Sequence, residues 1–148
     1  MNNFAAVDIL LVEDNPNDAE LAFRNLKKNN LANNVHWAKD GQEALDYIFR
    51  NGEYENRRVE DNQKVILLDL KLPKVDGMEI LRKVKSDERT SQAIVVIMTS
   101  SREESDVNES RELGVDGFIT KPVDFVEFAK VASDLRLHWL LLDKPPGR

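Results

Sequence analysis

The feature that most constrains the fold of this chain is a fivefold alternation between short apolar runs and longer amphipathic segments. The apolar runs lie at residues 7–12, 34–38, 65–69, 93–99 and 116–120. Short, bounded runs of this kind are typical of strands buried on both faces of a parallel sheet. The segments between them place apolar residues three and four positions apart, as amphipathic helices do. The alternation therefore predicts an α/β fold with five parallel strands, helices on both faces and right-handed crossovers.

Local signals indicate where the helices begin and end. Asn15 precedes Pro16, and an N-cap asparagine followed by proline is a common helix start. This first helix is expected to stop near residues 29–30. The later helices are predicted at 41–49, 78–86, 102–114 and about 124–142. Residues 51–64 are polar and unpatterned, so we expect a long surface loop there.

Composition limits the classes of function. The chain has 148 residues, 41% of them apolar, which fits one domain with a real core. The net charge of −6 gives no reason to expect nucleic acid or an anionic membrane as a partner. The absence of cysteine removes disulfides, thiolate metal sites and thiol nucleophiles. No apolar run approaches the roughly 20 residues of a membrane span, and the first residues do not resemble a signal peptide, so we expect a soluble, cytoplasmic protein.

Five polar residues occupy the carboxyl ends of the predicted strands. They are Glu13 and Asp14 after the first strand, Asp69 at the end of the third, Thr99 at the end of the fourth and Lys121 after the fifth. In an open α/β sheet this edge is where ligands bind. Each residue alone would most simply be a solvated side chain. Their coincidence at one edge favours a shared site.

The chemistry of this set points to phosphoryl transfer. Carboxylates 4 Å apart repel by about 4 kcal/mol per pair at an effective dielectric constant near 20, so a proton or a cation must join them. Oxygen ligands without histidine or cysteine favour Mg²⁺, although Mn²⁺ or Ca²⁺ could take its place. Together with a lysine and a hydroxyl group, the metal would make a receptor for a phosphoryl group. An aspartate in that receptor is a plausible nucleophile.

Four motifs at these positions resemble the receiver domain of two-component response regulators. They are "LLVEDN" (10–15), "LLDLKLPKVDG" (67–77), "IMTSS" (97–101) and "GFITKP" (117–122). Their order and spacing are specific, and the resemblance to the single-domain type covers nearly the whole chain. It implies a flavodoxin-like, three-layer α/β/α fold with strand order 2-1-3-4-5. It also implies one receiver domain over residues 1–148, with a core at about 6–136 and a C-terminal extension at about 137–148.

The resemblance assigns a role to each acidic residue. Asp69 would be the phosphoacceptor and would ligate Mg²⁺ together with Asp14 and the backbone carbonyl of Lys71. Glu13 would act on the metal through water. The acidic pair is Glu-Asp where Asp-Asp is frequent in the family. Lys71 places a positive side chain where many relatives carry a neutral one.

The remaining motif residues would contact the phosphoryl group or respond to it. Thr99 and Lys121 would hold the phosphoryl oxygens, and a cis bond between Lys121 and Pro122 would position the lysine. Phe118 matches the aromatic position that turns inward when the threonine moves, so Thr99 and Phe118 would form the switch. The small Ser100 would leave access to the site open.

The implied partner is a sensor histidine kinase. The chain looks most like the small regulators paired with bacterial phytochromes, which share "GEY" within 51–58 and a tryptophan in the region of 137–142. His36 and His138 have no acid or second histidine at relay spacing, so the donor must be another molecule. Only "DKPPGR" follows the last helix, which is too short for a DNA-binding module. Output would therefore pass through protein contact, relay to another histidine or feedback on the kinase, with no enzymatic activity beyond self-phosphorylation and slow autodephosphorylation.

The predicted last helix is apolar on more than one face near its end. A stripe of core type comprises Phe125, Phe128, Ala132, Leu135, Trp139 and Leu142. Leu137, Leu140 and Leu141 fall off that stripe and need a cover. Two alternatives remain open: a homodimer through Leu137, Trp139, Leu140 and Leu141, or a tail folded back on its own domain.

Three other functions compete with the receiver interpretation. A phosphohydrolase of the haloacid dehalogenase type needs a second aspartate two residues after the nucleophile, where this chain has Lys71. A flavodoxin-like cofactor binder needs an anion-accepting loop after the first strand, but "EDNPND" carries three acids. A pseudo-receiver that serves as a scaffold stays open, although Asp69, Thr99 and Lys121 are intact.

Overall fold

The sheet has the predicted topology. The computed structural model describes residues 9–28, 35–56, 65–99, 104–121, 126–128 and 130. Five parallel strands lie in the order β2-β1-β3-β4-β5, which confirms the flavodoxin-like arrangement. Their bounds are β1 Ile9–Val12, β2 Val35–Ala38, β3 Val65–Asp69, β4 Ile94–Thr99 and β5 Gly117–Thr120.

Helices alternate with the strands along the chain. Their bounds are α1 Pro16–Lys28, α2 Gly41–Phe49, α3 Gly77–Ser86 and α4 Glu104–Glu112. Residues 126–128 and 130 are helical and fall within the predicted last helix. Among the described helices, none combines the length and apolarity that a bilayer span requires. Several residues with predicted roles lie outside the described residues. They are the predicted cis-proline Pro122, Ser100 next to Thr99, and the predicted dimer contacts Leu137, Trp139, Leu140 and Leu141.

The core lies on both faces of the sheet because successive strand residues point to opposite sides. Ile9 and Leu11 of β1 belong to one buried cluster that includes α1 residues such as Leu26. Leu10 and Val12 belong to a second cluster that includes residues of α2 and α3. All four β1 residues are fully buried. Strand β1 is therefore apolar throughout, and Glu13 and Asp14 come only after its last residue.

Capping side chains fix the turns that lead from strands into helices. Asn15 Oδ1 accepts hydrogen bonds from the backbone N–H groups of Asn17 and Asp18 at 2.8 and 3.1 Å, as its N-cap prediction requires. Asp40 caps α2 and Asp76 caps α3 in the same way. Each capped turn follows the carboxyl end of a strand. The caps therefore hold in place the loops around the sheet edge where the polar residues gather.

Gly77 brings α3 against the end of β3. Its N–H donates a 2.8 Å hydrogen bond to the Leu70 carbonyl, and a Cβ built on it would lie 2.6 Å from Leu70 Cα. Real Cβ atoms essentially never come so near a backbone atom. The glycine in the "KVDG" part of the motif therefore permits a close approach of two backbones directly beside Asp69.

The first part of the predicted surface loop contains a short turn that packs on the domain. Gly52–Tyr54 forms a 3₁₀ turn, and the Tyr54 ring packs edge-on against His36 and Tyr47 with centroids 5.5 and 5.0 Å apart. Tyr54 Oη donates to Glu43 Oε2 at 2.9 Å and lies 3.3 Å from His36 Nε2. Residues 51–56 are mostly exposed, as expected for a surface loop, but Tyr54 is half-buried against His36. These contacts join three elements, β2, α2 and the 3₁₀ turn, so spacing along the chain does not reveal them.

A half-buried ion pair closes the opposite edge of the sheet. Lys85 Nζ lies 2.9 Å from Asp116 Oδ2 and donates to the Ala93 carbonyl at 2.9 Å. Asp116 Oδ2 also accepts a hydrogen bond from the Val95 N–H at 2.8 Å. The pair ties α3 to the beginnings of β4 and β5. It lies away from the carboxyl ends of the strands, so we assign it to stability.

Candidate functional site

Three carboxylates converge at the carboxyl edge of the sheet. Glu13 and Asp14 follow β1, and Asp69 is the last residue of the adjacent β3. One oxygen from each lies within 4.8 Å of the other two. Glu13 and Asp69 are buried, whereas Asp14 is exposed to solvent. The cluster is therefore fixed on its inner side and open on its outer side.

Lys121 brings the one ammonium group seen in this cluster. Its Nζ lies 2.7 Å from Glu13 Oε1 and 3.0 Å from Asp69 Oδ2. Its backbone N–H donates to the Thr99 carbonyl at 2.8 Å, which fixes the chain where β5 ends. The side chain is 16% exposed and reaches past the end of β4 to the acids of β1 and β3. The structure thus joins residues more than 100 positions apart in the chain.

Burial and charge act against one another in this cluster. Burial raises the pKa of the Glu13 carboxyl above its ordinary value, the hydrogen bond from Lys121 opposes the rise, and the nearby Asp69 charge adds to it. Burial alone would disfavour the Lys121 ammonium, but the hydrogen bonds and charges of Glu13 and Asp69 raise its pKa overall. The ammonium therefore stays protonated at neutral pH. One positive charge among three carboxylates leaves an excess of negative charge.

The donor set suits a hard divalent cation. The three grouped residues that could ligate a metal all offer carboxylate oxygens, and such ligands are preferred by Mg²⁺, Mn²⁺ and Ca²⁺. Two oxygens on one Mg²⁺ lie at most about 4.2 Å apart, so the cluster is at most about 0.6 Å too wide, and the exposed Asp14 side chain has room to move. The Lys71 N–H donates to Asp69 Oδ1 at 3.3 Å, which puts the Lys71 backbone beside the same carboxylate.

The two remaining predicted site residues lie on β4 and β5. In the register of β3 and β4, Asp69 pairs with Met98, so Thr99 lies one position beyond the acid toward the carboxyl edge. Thr99 is half-buried. Phe118 of β5 is also half-buried, and the Arg111 guanidinium of α4 lies over its ring at 5.7 Å from the centroid. Phe118, the side chain predicted to move on phosphorylation, is thus in a cation–π contact with Arg111.

An open cleft leads to the cluster from solvent. It measures about 660 Å³ and its lining includes Asp14 and Lys71 together with residues of the β3–α3 turn and Glu109 of α4. The cleft thus reaches the cluster at Asp14, its exposed member.

Two residues of the site escape detection in the sequence. Asp18, in the first turn of α1, places Oδ2 3.5 Å from Lys121 Nζ. Its position four residues after Asp14 is a usable signal once α1 is placed. Trp37 of β2 donates its indole N–H to the Glu13 carbonyl at 2.8 Å. No sequence signal points to this bond, because it depends on the pairing of β2 with β1.

The geometry agrees with a family match over most of the chain. The profile of the response regulator receiver domain matches residues 9–133. The chain belongs to this family. The match includes all three clustered acids, Thr99 and Lys121.

Two solved structures of bacteriophytochrome response regulators are similar to this receiver domain. AtBRR is 51% identical, with a TM-score of 0.84, and the alignment covers 94% of this chain and 99% of AtBRR. RtBRR is 46% identical, with a TM-score of 0.83, and the alignment covers 96% of this chain and 85% of RtBRR.

Two cyanobacterial response regulators are also similar to this chain, and their solved structures show a metal-bound and a phosphorylated form. Response regulator Rcp1 of Synechocystis sp. is 36% identical over 132 residues, which are 89% of this chain and 88% of Rcp1. The solved structure of its Mn²⁺-bound form has a TM-score of 0.74 and is 34% identical in sequence. The alignment covers 95% of this chain and 99% of the Rcp1 chain. The phosphorylated cyanobacterial phytochrome response regulator RcpA has a TM-score of 0.75 at 34% identity, with 96% and 99% covered.

Proposed function

We propose that this receiver domain accepts a phosphoryl group on Asp69 from the phosphohistidine of a sensor kinase, with a divalent cation held by the acidic cluster. The observation that carries the proposal is the convergence of Asp69 with two further carboxylates and with the Lys121 ammonium 3.0 Å away. Such an arrangement is costly for stability alone, because like charges repel. It is useful for a reaction that adds negative charge at one point.

The transfer is a displacement at phosphorus. An oxygen of the Asp69 carboxylate forms a bond to phosphorus while the bond from phosphorus to the donor imidazole nitrogen breaks. The donor ring carries a proton on its other nitrogen, so the electron pair of that bond leaves with a neutral imidazole and no oxidant or base is needed. Lys121, held between Glu13 and Asp69, stabilises the charge on the phosphoryl oxygens, and the Thr99 hydroxyl donates a hydrogen bond to one of them.

The metal would be held by Asp14, Asp69 and the backbone carbonyl of Lys71, with Glu13 acting through water. When bound, Mg²⁺ would neutralise the charge that develops on the transferring phosphoryl group. The buried Glu13 is held by Lys121 and by the Asn15 N–H, the latter at 3.1 Å from its Oε2, which suits an orienting role more than direct ligation. The Mn²⁺-bound form of Rcp1 supports a divalent ion in a related protein.

Phosphorylation would act as a conformational switch. The new phosphoryl oxygens would compete with Asp69 for Lys121 and would attract Thr99, and Phe118 would turn inward behind it. Only one of two pre-existing states can make all these contacts, so its population rises. Output would then pass through protein contacts. One candidate surface is a homodimer interface at Leu137, Trp139, Leu140 and Leu141.

The kinase partner is proposed to be a phytochrome. AtBRR and RtBRR, both bacteriophytochrome response regulators, are 51% and 46% identical to this chain. Phosphotransfer from a panel of purified histidine kinases, including bacteriophytochromes, tests this part. Faster labelling by a phytochrome kinase than by the others is expected. Equal or slower labelling would contradict the assignment.

Intact-mass measurement tests the phosphorylation itself. The protein is incubated with acetyl phosphate or phosphoramidate in Mg²⁺ or in EDTA, and Asp69→Asn is treated in parallel. The wild type should gain one phosphoryl group in Mg²⁺ only, and the variant none. If neither gains mass, with small donors and with kinases alike, the scaffold interpretation replaces this one.

A further inference from the structure

Trp37 lies outside the carboxylate cluster but holds part of it. Its indole Nε1–H donates a 2.8 Å hydrogen bond to the backbone carbonyl of Glu13, 24 residues away in the sequence. The Glu13 N–H donates to the Ala38 carbonyl at 3.1 Å. Both backbone polar groups of Glu13 are therefore held by two adjacent residues of β2.

This hydrogen bond continues the contact between β1 and β2 by one residue beyond their last backbone pair. The pairing of β1 with β2 ends at Val12 and Ala38, and Leu11 pairs with Trp37. Beyond that point, the indole N–H takes the place of a strand neighbour for the Glu13 carbonyl. That carbonyl belongs to the peptide unit joining Glu13 to Asp14, so the indole fixes the plane of this peptide.

The orientation of the Glu13–Asp14 peptide affects the position of Asp14 more than that of the Glu13 carboxylate. The Glu13 carboxylate is held independently by Lys121 at 2.7 Å and by the Asn15 N–H at 3.1 Å. The Asp14 side chain is exposed. The place from which this side chain starts, its Cα, is set by the backbone that precedes it, which ends in the peptide held by Trp37.

The indole is itself held by packing. Trp37 is half-buried, packs against the core cluster that includes Ile9 and Leu11, and lines a groove with Pro16, Ala19 and Phe23 of α1. A donor held on both sides needs little ordering when a ligand arrives. Such outer groups commonly change metal affinity about 10- to 100-fold when removed.

We propose that Trp37 is a positioning residue for the divalent-cation site, acting through the Glu13–Asp14 peptide. The proposal rests on the proposed function, because it requires a cation at the acidic cluster. The hydrogen bond keeps the Asp14 carboxylate within reach of Asp69 before the cation binds. Loss of the N–H donor leaves Glu13 and Asp69 in place but lets the backbone at Asp14 shift away from them.

The test compares Trp37→Phe with Val35→Ala. The first variant keeps an aromatic ring but removes the N–H donor. The second trims the same face of β2 and packs against the same cluster, but has no link to Glu13. Mn²⁺ affinity is measured by the electron paramagnetic resonance of the free ion, and phosphorylation by acetyl phosphate is followed against Mg²⁺ concentration.

Trp37→Phe should weaken Mn²⁺ binding roughly 10-fold and raise the half-saturating Mg²⁺ concentration equally, with the same plateau rate. Val35→Ala should change either value less than about twofold. Unchanged affinity in Trp37→Phe, or equal losses in both variants, would overturn the proposal. A wild type that binds no Mn²⁺ would overturn it together with the metal part of the proposed function.

A second measurement covers the case in which Trp37→Phe does not fold. The indole ¹⁵N–¹H resonance of Trp37 is followed in the wild-type protein during a Mg²⁺ titration, with Trp139→Phe used for assignment. The resonance should shift with the dissociation constant of the metal site. A resonance that stays unmoved while the site fills would overturn the proposal.

Discussion

Replacing Asp14 by asparagine should have opposite effects on stability without and with Mg²⁺. Its carboxylate lies within 4.8 Å of those of Glu13 and Asp69, and Lys121 contacts the other two acids. Two unit charges at 4.8 Å and an effective dielectric constant of 20 repel by about 3.5 kcal/mol. Because Asp14 is exposed, solvent screening reduces the relief on its removal to about 1 kcal/mol.

A change in the free energy of unfolding shifts the melting temperature by an amount set by the unfolding entropy, which scales with chain length. A protein of 148 residues unfolds with an entropy of about 0.31 kcal/mol/K, so 1 kcal/mol shifts Tm by about 3 °C. Without metal, Asp14→Asn should melt about 3 °C above the wild type. At a Mg²⁺ concentration of about 100 times the wild-type Kd, the wild type should gain about 2.7 kcal/mol, or about 9 °C. A variant that binds about a hundredfold more weakly gains only about 1 °C.

Scanning calorimetry in EDTA and in Mg²⁺ measures both effects. Glu88→Gln removes the same charge from an exposed position after α3, so it controls for net charge. It should follow the wild type in both buffers. An equal rise in Tm on adding Mg²⁺ to Asp14→Asn and to the wild type would refute a metal role for Asp14. A metal-free Asp14→Asn that melts below the wild type would refute the predicted relief of repulsion.

Two further substitutions test the frame around the site. Asp116→Ala should cost about 2–3 kcal/mol in urea unfolding, because Lys85 is left half-buried without its partner and the Val95 N–H loses its acceptor. Asp40→Ala should cost about 1 kcal/mol at pH 7, since the carboxylate caps α2 at the Glu43 N–H. That hydrogen bond holds the pKa of Asp40 below its ordinary value, so its contribution is present above about pH 4 and is lost as the pH falls through the folded-state pKa.

Matched controls separate these effects from general charge changes. Lys83 forms an exposed pair with Glu79, so Lys83→Met should change stability by less than about 0.5 kcal/mol. A stability cost for Asp116→Ala as small as that for Lys83→Met would show that the half-buried pair stabilises the fold no more than an exposed pair does. For Asp40→Ala, the difference from the wild type should shrink below pH 4. A constant difference down to pH 2 would contradict the assigned cause.

The sequence was most informative where one physical cause acts alone. Burial on both faces makes the strands continuous apolar runs, so Ile9–Val12 and Val65–Asp69 could be located within a few residues. Caps such as Asn15 act within three residues and could be read directly. The convergence of Glu13, Asp14 and Asp69 followed from topology, because parallel strands end at one edge.

Contacts between side chains of distant elements could not be predicted in the same way. The bond from Trp37 to Glu13 depends on the register of β2, and the reach of Lys121 to Asp18 depends on where α1 begins. The pair of Lys85 with Asp116 links α3 to β5, and each residue alone resembles an ordinary surface charge. Pairwise geometry of this kind leaves no periodic trace in a single sequence.

Tyr54 shows how a motif known only by resemblance gains a physical role. The "GEY" stretch served as a mark of phytochrome-associated regulators, without a structural reason. In the fold, Tyr54 closes the 3₁₀ turn onto His36 and Tyr47 and hydrogen-bonds to Glu43. The tyrosine anchors the beginning of the loop to α2 and β2.

Chemical trapping of the phosphorylated residue tests the central claim most directly. The protein is treated with phosphoramidate and Mg²⁺, reduced with borohydride and digested, and the peptides are sequenced by tandem mass spectrometry. Hydride converts an aspartyl phosphate to homoserine, so the account predicts homoserine at position 69 and nowhere else. Homoserine at Asp14 or another aspartate, or a phosphoryl group that survives reduction on a hydroxyl side chain, would contradict it.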